Sequence, residues 1–181
     1  KTTTTSMLSY ILIDADTDPT ISVGGILDSI GGNIRVGKSE YFVTEACEYT
    51  NSYHAFKPFI SIILNVDADH LDFFKDIDEI AESFHVFATK TPKEGLVIVN
   101  GDMKYYDTVV RDLECRVVTF GKGAQNKYSA HNIRFDDFGH PTYTLVVDGK
   151  EITDITLKVF GEHNVYNSLS AIAASLELGI S

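Results

Sequence analysis

The chain has 181 residues, 44% hydrophobic and 23% charged, with a formal net charge of −11. That length and balance fit one globular domain with a sizeable core. The negative charge excludes bulk attraction to nucleic acid or to an anionic membrane, and any phosphate site must be local, built from backbone N–H groups, one or two cations and a metal. No apolar run is long enough to span a membrane, so a soluble cytoplasmic protein is expected, with no membrane insertion. Cys47 and Cys115 sit within apolar runs, far apart and out of metal-ligand spacing. Both are expected to be buried, reduced thiols.

Residues 1–12 form the first helix candidate, with a threonine run at its N-terminus. Segments 20–24 and 33–37 are short and Gly-bounded, around a loop with Gly31 and Gly32. Residues 41–45 (YFVTE) predict a short strand. Residues 59–65 (FISIILN) are continuously apolar and rich in β-branched side chains, which predicts a strand buried on both faces. In 76–90, Ile77, Ile80, Ala81, Phe84 and Phe87 recur at helical spacing, and Asp76 and Asp78 suit the N-terminus. Strand 95–100, helix 103–112 and strand 116–121 follow. The alternation predicts an α/β fold with a mostly parallel sheet flanked by helices. After Gly123 the segments 128–135, 141–147 and 151–159 alternate apolar and polar residues, with an Asp148-Gly149 turn between the last two. This predicts a small antiparallel β patch attached to the parallel sheet. Val165, Leu169, Ile172, Ala173 and Leu176 then form a helical stripe that Gly179 stops.

Four segments carry candidate chemistry. KTTTTS (1–6) is an odd run for a helix, because threonine is a weak helix former. A phosphate loop accounts for it, with Lys1 reaching the β/γ-phosphates and Thr2 binding Mg²⁺; the alternative is a frayed polar terminus. In EACEYTNSY (45–53), Glu45 ends a buried strand, where open α/β sheets gather ligands, and a carboxylate there can hold Mg²⁺; the alternative is a solvated charge. LNVDADHLDFF (64–74) crowds Asp67, Asp69, His70 and Asp72 into one loop. That is a second metal position suited to Mg²⁺ rather than zinc, or else helix capping plus a surface histidine. In GEHNVYNSLSAIAAS (161–175), Asn164 and Asn167 share one face of a helix start. Two carboxamides there can read a purine edge, or else one caps the helix and the other is exposed. Asp14, Asp16 and Asp18 imitate a calcium loop, but Pro19 and Gly25 stand where that pattern needs Gly and Glu, which leaves an acidic surface turn.

In this order and spacing, KTTTTSM, EACEY, NVDADHLDFF and GEHNVYNSLSAIAA resemble the Mur ligase family over nearly the whole chain, and within it the branch that adds L-alanine. The resemblance implies that 1–181 is the single central ATP-binding domain of such a ligase, entered inside the phosphate loop. The N-terminal UDP-sugar domain and the C-terminal domain would lie outside it. It implies ATP and Mg²⁺ as cofactors, UDP-N-acetylmuramate and L-alanine as substrates, and an acyl-phosphate intermediate on the route to peptidoglycan. It assigns catalysis to Lys1, Glu45 and His70, and metal ligation to Thr2, Glu45 and His70. Nucleotide binding falls to Lys1, Thr2, Thr3, His163, Asn164 and Asn167; Glu48 would position the sugar substrate or a water on the metal, with Asn51 and Ser52 lining the same face. Some members carry a carbamylated lysine on the helix after the D-H-[LM]-D motif. Here His85 stands near that position, a departure that favours the alanine-adding branch. The chain alone is expected to fold, to bind ATP weakly and to have little or no ligase activity. A sister ligase that attaches a preformed murein peptide to the same sugar nucleotide is the nearest competing reading. A P-loop nucleotide-binding module without ligase activity is the competitor from another class.

Overall fold

The computed structural model describes residues 1–68 and 71–180. Its elements are α1 (Thr2–Asp14), β1 (Thr20–Leu27), β2 (Gly32–Arg35), β3 (Phe42–Thr44), a 3-10 segment (Tyr49–Ala55), β4 (Ile60–Ile63), α2 (Ile77–Ala88), β5 (Leu96–Asn100), α3 (Tyr106–Val110), β6 (Arg116–Gly121), β7 (Tyr128–Phe135), β8 (Pro141–Val147), β9 (Lys150–Thr156) and α4 (His163–Glu177). Six strands form one sheet in the order β4-β5-β6-β7-β8-β9. Strands β4 to β7 run parallel, and β8 and β9 complete it antiparallel.

β5 shows why the sheet sits at the centre. All of its residues are buried. Leu96 and Ile98 pack with Leu8 and Leu12 of α1 and Val165 and Leu169 of α4. Val97 and Val99 pack on the other face with Ile80 and Ala81 of α2 and Val109 of α3. A strand covered on both faces needs apolar residues at every position, which is the LVIVN pattern. β4, by contrast, buries Ser61 and Ile63 but leaves Ile60 and Ile62 half-buried. The expectation of burial on both faces fails there because β4 is an edge strand.

β6 and β7 are parallel neighbours joined only by residues 122–127, although parallel strands ordinarily need a crossover of about a dozen residues. Their pairing is confined to Phe120↔Tyr128 and Gly121↔Ser129, so β7 starts beside the end of β6 and no crossover is required. The β8–β9 turn has positive φ at both Asp148 (49°) and Gly149 (75°), as a two-residue hairpin of right-handed twist demands. At the start of α2, Asp76 is extended and accepts the Glu79 N–H at 3.0 Å.

One feature was not anticipated, and two expectations are corrected. β1, β2 and β3 form their own three-stranded sheet, ordered β2-β1-β3, with Ile21, Val23 and Leu27 packed against Ile13 of α1 and Ile30. The helix expected over 103–112 contracts to α3, with turns before it, though Met103 is still buried. Cys47 is exposed and Cys115 alone of the two thiols is buried; β3 ends at Thr44, so Cys47 belongs to a loop. Burial pushes the Cys115 thiol up. Among the described residues no helix is long and apolar enough to cross a membrane.

Candidate functional site

The N-terminus of α1 meets the loop that leaves β3. Glu45, one residue past the strand, accepts the Gly24 N–H at 2.6 Å through Oε1 and the Thr2 hydroxyl at 3.2 Å through Oε2. A Cβ on Gly24 would stand 3.0 Å from that carboxylate, so glycine at this position of β1 leaves room for the Glu45 side chain to close in. Further along the loop, Glu48 Oε2 lies 2.5 Å from Lys1 Nζ, and Cys47 Sγ lies 4.0 Å from the same ammonium. Lys1, Thr2, Glu45 and Glu48 therefore form one cluster.

The threonine run has positional uses rather than helix propensity. Thr2 meets Glu45, Thr5 Oγ1 donates to the Lys1 carbonyl at 3.3 Å, and Thr3 is exposed on the first turn. Thr4, which no sequence argument singled out, donates to Asn167 Oδ1 at 3.0 Å. Asn167 Nδ2 donates to Asn164 Oδ1 at 2.9 Å, and Asn164 Nδ2 donates to the Phe160 carbonyl at 2.9 Å. Asn164 Nδ2 also lies 3.2 Å from His163 Nε2. Asn164 is only 6% exposed, so its carboxamide anchors the entry to α4. The half-buried Asn167 keeps one N–H and one lone pair for a ligand, and His163 is exposed. Thr4 thus joins the first turn of α1 to the asparagine pair.

The same end of the sheet carries a loop brace. Asp102, just past β5, accepts the N–H groups of Lys122 (2.5 Å) and Gly123 (3.2 Å) and the side-chain amides of Gln125 (3.1 Å) and Asn126 (2.8 Å). Lys122 Nζ pairs with Glu162 at 2.5 Å, next to His163.

His70, expected as catalyst and metal ligand, lies outside the described residues, as does Asp69. Of its neighbours, Asp67 accepts from Asn65 Nδ2 at 2.6 Å, and Asp72 accepts the Tyr49 hydroxyl at 3.1 Å. That bond to Asp72 holds the Tyr49 phenol above its ordinary value. Among the described residues no three His, Cys, Asp or Glu side chains group as a metal site. Ser52 Oγ bonds the Cys47 and Tyr49 carbonyls, both at 3.1 Å, and so braces its own loop. His85 Nδ1 lies 3.2 Å from the Val109 carbonyl of α3; among the α2 residues that reach the Glu45–Tyr53 loop, Ser83 is bonded to Asn51. The acidic turn lies between α1 and β1, and at the open end of the β1–β2 hairpin Asp18 pairs with Arg35 at 2.5 Å and accepts the Lys38 N–H at 3.0 Å. The Arg35 hydrogen bond holds the Asp18 carboxyl below its usual range.

Residues 1–175 match the Mur ligase middle domain family. Over 181 residues the chain is 56% identical to a UDP-N-acetylmuramate–L-alanine ligase of Lachnospira eligens, which covers 99% of this chain and 39% of that protein. It is similar in structure to the UDP-N-acetylmuramate:L-alanyl-γ-D-glutamyl-meso-diaminopimelate ligase of Neisseria meningitides, with a TM-score of 0.86 at 27% identity over 99% of this chain and 59% of that one. For the UDP-N-acetylmuramate–alanine ligase of Thermotoga maritima the TM-score is 0.82 at 29% identity, over 99% of this chain and 39% of that one. The chain thus spans about two fifths of the length of the curated relatives it matches. On its fold, its ordered motifs and these likenesses, the chain belongs to the Mur ligase middle domain family.

Proposed function

We propose that this chain is the nucleotide-handling part of an ATP-dependent ligase that joins L-alanine to UDP-N-acetylmuramate in peptidoglycan synthesis, in the cytoplasm. Residues 1–181 are one central domain of it, and the UDP-sugar and C-terminal domains belong to the same enzyme. The observation that carries this reading is the meeting, at the N-terminus of α1, of Thr2 with Glu45 and of Lys1 with Glu48, in a chain so close in sequence to an L-alanine ligase.

ATP phosphorylates the lactyl carboxylate, the amine of L-alanine attacks the acyl phosphate, and phosphate leaves. Charge on the transferring phosphoryl group would be met by Lys1 and by the N–H groups at the start of α1, beside a bound Mg²⁺. The Thr2 hydroxyl and Glu45 carboxylate fit that metal, being hard oxygen donors 3.2 Å apart, and Mg²⁺ favours a few such ligands plus water. When bound it neutralises phosphate charge. His70 serves a second metal or the γ-phosphate. Lys1 leaves Glu48 to reach the phosphates. Asn167 meets the base, with Asn164 holding it from behind and Thr3 and His163 at the rim of the nucleotide.

The test is ADP release by the complete ligase that contains this chain, given Mg-ATP and UDP-N-acetylmuramate and then L-alanine, glycine, L-serine or the stem tripeptide in turn. The expected result is release that depends on both the sugar nucleotide and L-alanine. Preference for the tripeptide would move the assignment to a peptide-recycling ligase, a reading favoured by the close structural match to the Neisseria meningitides protein. Release indifferent to the sugar nucleotide would leave a P-loop module.

A further inference from the structure

α2 meets the loop that carries Glu48 through the Tyr53 ring, packed against Phe84 and Phe87, and through one hydroxyl, that of Ser83. Ser83 is 7% exposed. Its Oγ donates to Asn51 Oδ1, lies 2.8 Å from the Tyr53 hydroxyl and 3.3 Å from His54 Nε2, and its carbonyl lies 2.9 Å from that same nitrogen. A serine hydroxyl has one hydrogen and two lone pairs. All are used when Tyr53 and His54 donate and Ser83 donates to Asn51. Tyr53 is 2% exposed, and burial pushes its phenol far above its ordinary value, only partly offset by the bond to Ser83; it therefore stays protonated as a donor. Its ring stacks on His54 and on Phe87 of α2, each at 4.7 Å between centroids.

The backbone that this hydroxyl restrains is strained. Thr50 (φ 55°, ψ 22°) and Asn51 (φ 56°, ψ 23°) are consecutive left-handed residues. That region is disfavoured for any residue with a Cβ, and most for a β-branched one such as threonine. Two in succession persist only where the surroundings impose them. The imposed turn is short and tightly bonded: the Asn51 N–H donates to the Glu48 carbonyl at 3.0 Å and the Tyr53 N–H to the Cys47 carbonyl at 3.2 Å. The residues whose carbonyls are caught, Cys47 and Glu48, are those whose side chains meet Lys1.

We propose that Ser83 is a positioning residue for the phosphate end of the nucleotide site: its hydroxyl locks the strained Thr50–Asn51 turn from behind and so fixes where Glu48 stands against Lys1. The inference rests on the nucleotide-site reading above. It needs no contact between Ser83 and the nucleotide, because it acts through backbone that Glu48 and Cys47 share with Asn51.

The experiment measures Mg-ADP affinity by titration calorimetry, with melting temperature alongside, on the complete ligase at a temperature where every variant is folded. The variants are Ser83→Ala, Ser83→Thr and the double variant Ser83→Ala/Asn51→Gly. Ser83→Ala is expected to weaken Mg-ADP about ten-fold, as the loss of a supporting partner behind a ligand typically does. Ser83→Thr keeps the hydroxyl and stays within about two-fold. Glycine removes the Cβ penalty of the left-handed position, so the double variant regains melting temperature but not affinity. The proposal is overturned by unchanged affinity in Ser83→Ala, by affinity that recovers together with melting temperature, or by a wild-type enzyme that does not bind Mg-ADP. It can fail separately from the ligase assignment: ADP release that ignores the sugar nucleotide removes the amide-ligase reading while leaving the Ser83 comparison intact.

Discussion

Glu45 shows how much one side chain can join. It sits one residue beyond β3, takes an N–H from β1 and a hydroxyl from α1, and can do both because Gly24 leaves room for its carboxylate. A glutamine would keep a carbonyl oxygen for the Gly24 N–H but would lose the charge that a cation needs. Glu45→Gln in the complete ligase is therefore expected to lower kcat by at least about 100-fold, on the scale of losing one preorganised electrostatic group. Its unfolding free energy should shift by less than about 0.5 kcal/mol. Turnover at the wild-type rate would reduce Glu45 to a structural bridge. The asparagine pair differs from its sequence-based description in a similarly physical way. Helical spacing puts Asn164 and Asn167 on one face, but burial divides their roles, with the inner one spent on the Phe160 carbonyl and the outer one left partly open.

Among the elements, α2 has the clearest local logic. Asp76 caps its N-terminus by accepting the Glu79 N–H, and Glu79 Oε2 accepts the Lys75 N–H at 2.7 Å; the two bonds satisfy two donors at the helix start. Asp76→Ala should cost about 1 kcal/mol and Asp76→Asn much less, read as the shift in urea unfolding midpoint at constant slope. Equal losses for the two would mean that the carboxylate's charge, rather than its acceptor geometry, supports the helix. The hairpin between β8 and β9 is equally local, since Asp-Gly supplies both positive φ values. α3 is the element that local pattern overstates: of the apolar residues in 103–112 only Met103 and Val109 are buried, and Met103 stands in the turns before the helix.

At the scale of the whole molecule, one carboxylate ties the last helix to the sheet. Glu177 at the end of α4 has a side chain only 6% exposed; it pairs with Lys127 at 2.7 Å and with Arg116 of β6, and accepts the Tyr128 hydroxyl at 2.8 Å. Burial by itself pushes the Glu177 carboxyl up, but the bonds from Lys127 and Tyr128 and the charges of Lys127 and Arg116 outweigh it and hold the group below its usual value. A carboxyl depressed in the folded state stabilises fully above its unfolded value, about pH 4.3. That contribution is lost as pH falls through the lower folded value. Melting curves from pH 7 to pH 3 should show wild type above Glu177→Gln at neutral pH, with the gap closing below about pH 4. A gap that stays constant with pH would mean that the carboxylate's shape, not its charge, matters.

The helices, the parallel strands, the antiparallel patch and the order of the chemistry-bearing loops were all legible in the sequence, because periodicity, β-branched runs, Asp-Gly and the capping aspartate act over a few neighbouring residues. Lys1, Thr2 and Glu45 were legible as candidates for the same reason: each stands where a local pattern ends. Tertiary structure alone decided what depends on residues distant in the chain. It set β1–β3 apart as a second sheet, left β4 half-covered at an edge, exposed Cys47, turned His85 toward α3, and brought Thr4 to Asn167 and Ser83 to Asn51. Those pairs are separated by long stretches of sequence, and a threonine or serine carries no local mark of the partner its hydroxyl will find. Such contacts exist only once packing has chosen which faces of α1, α2 and α4 meet.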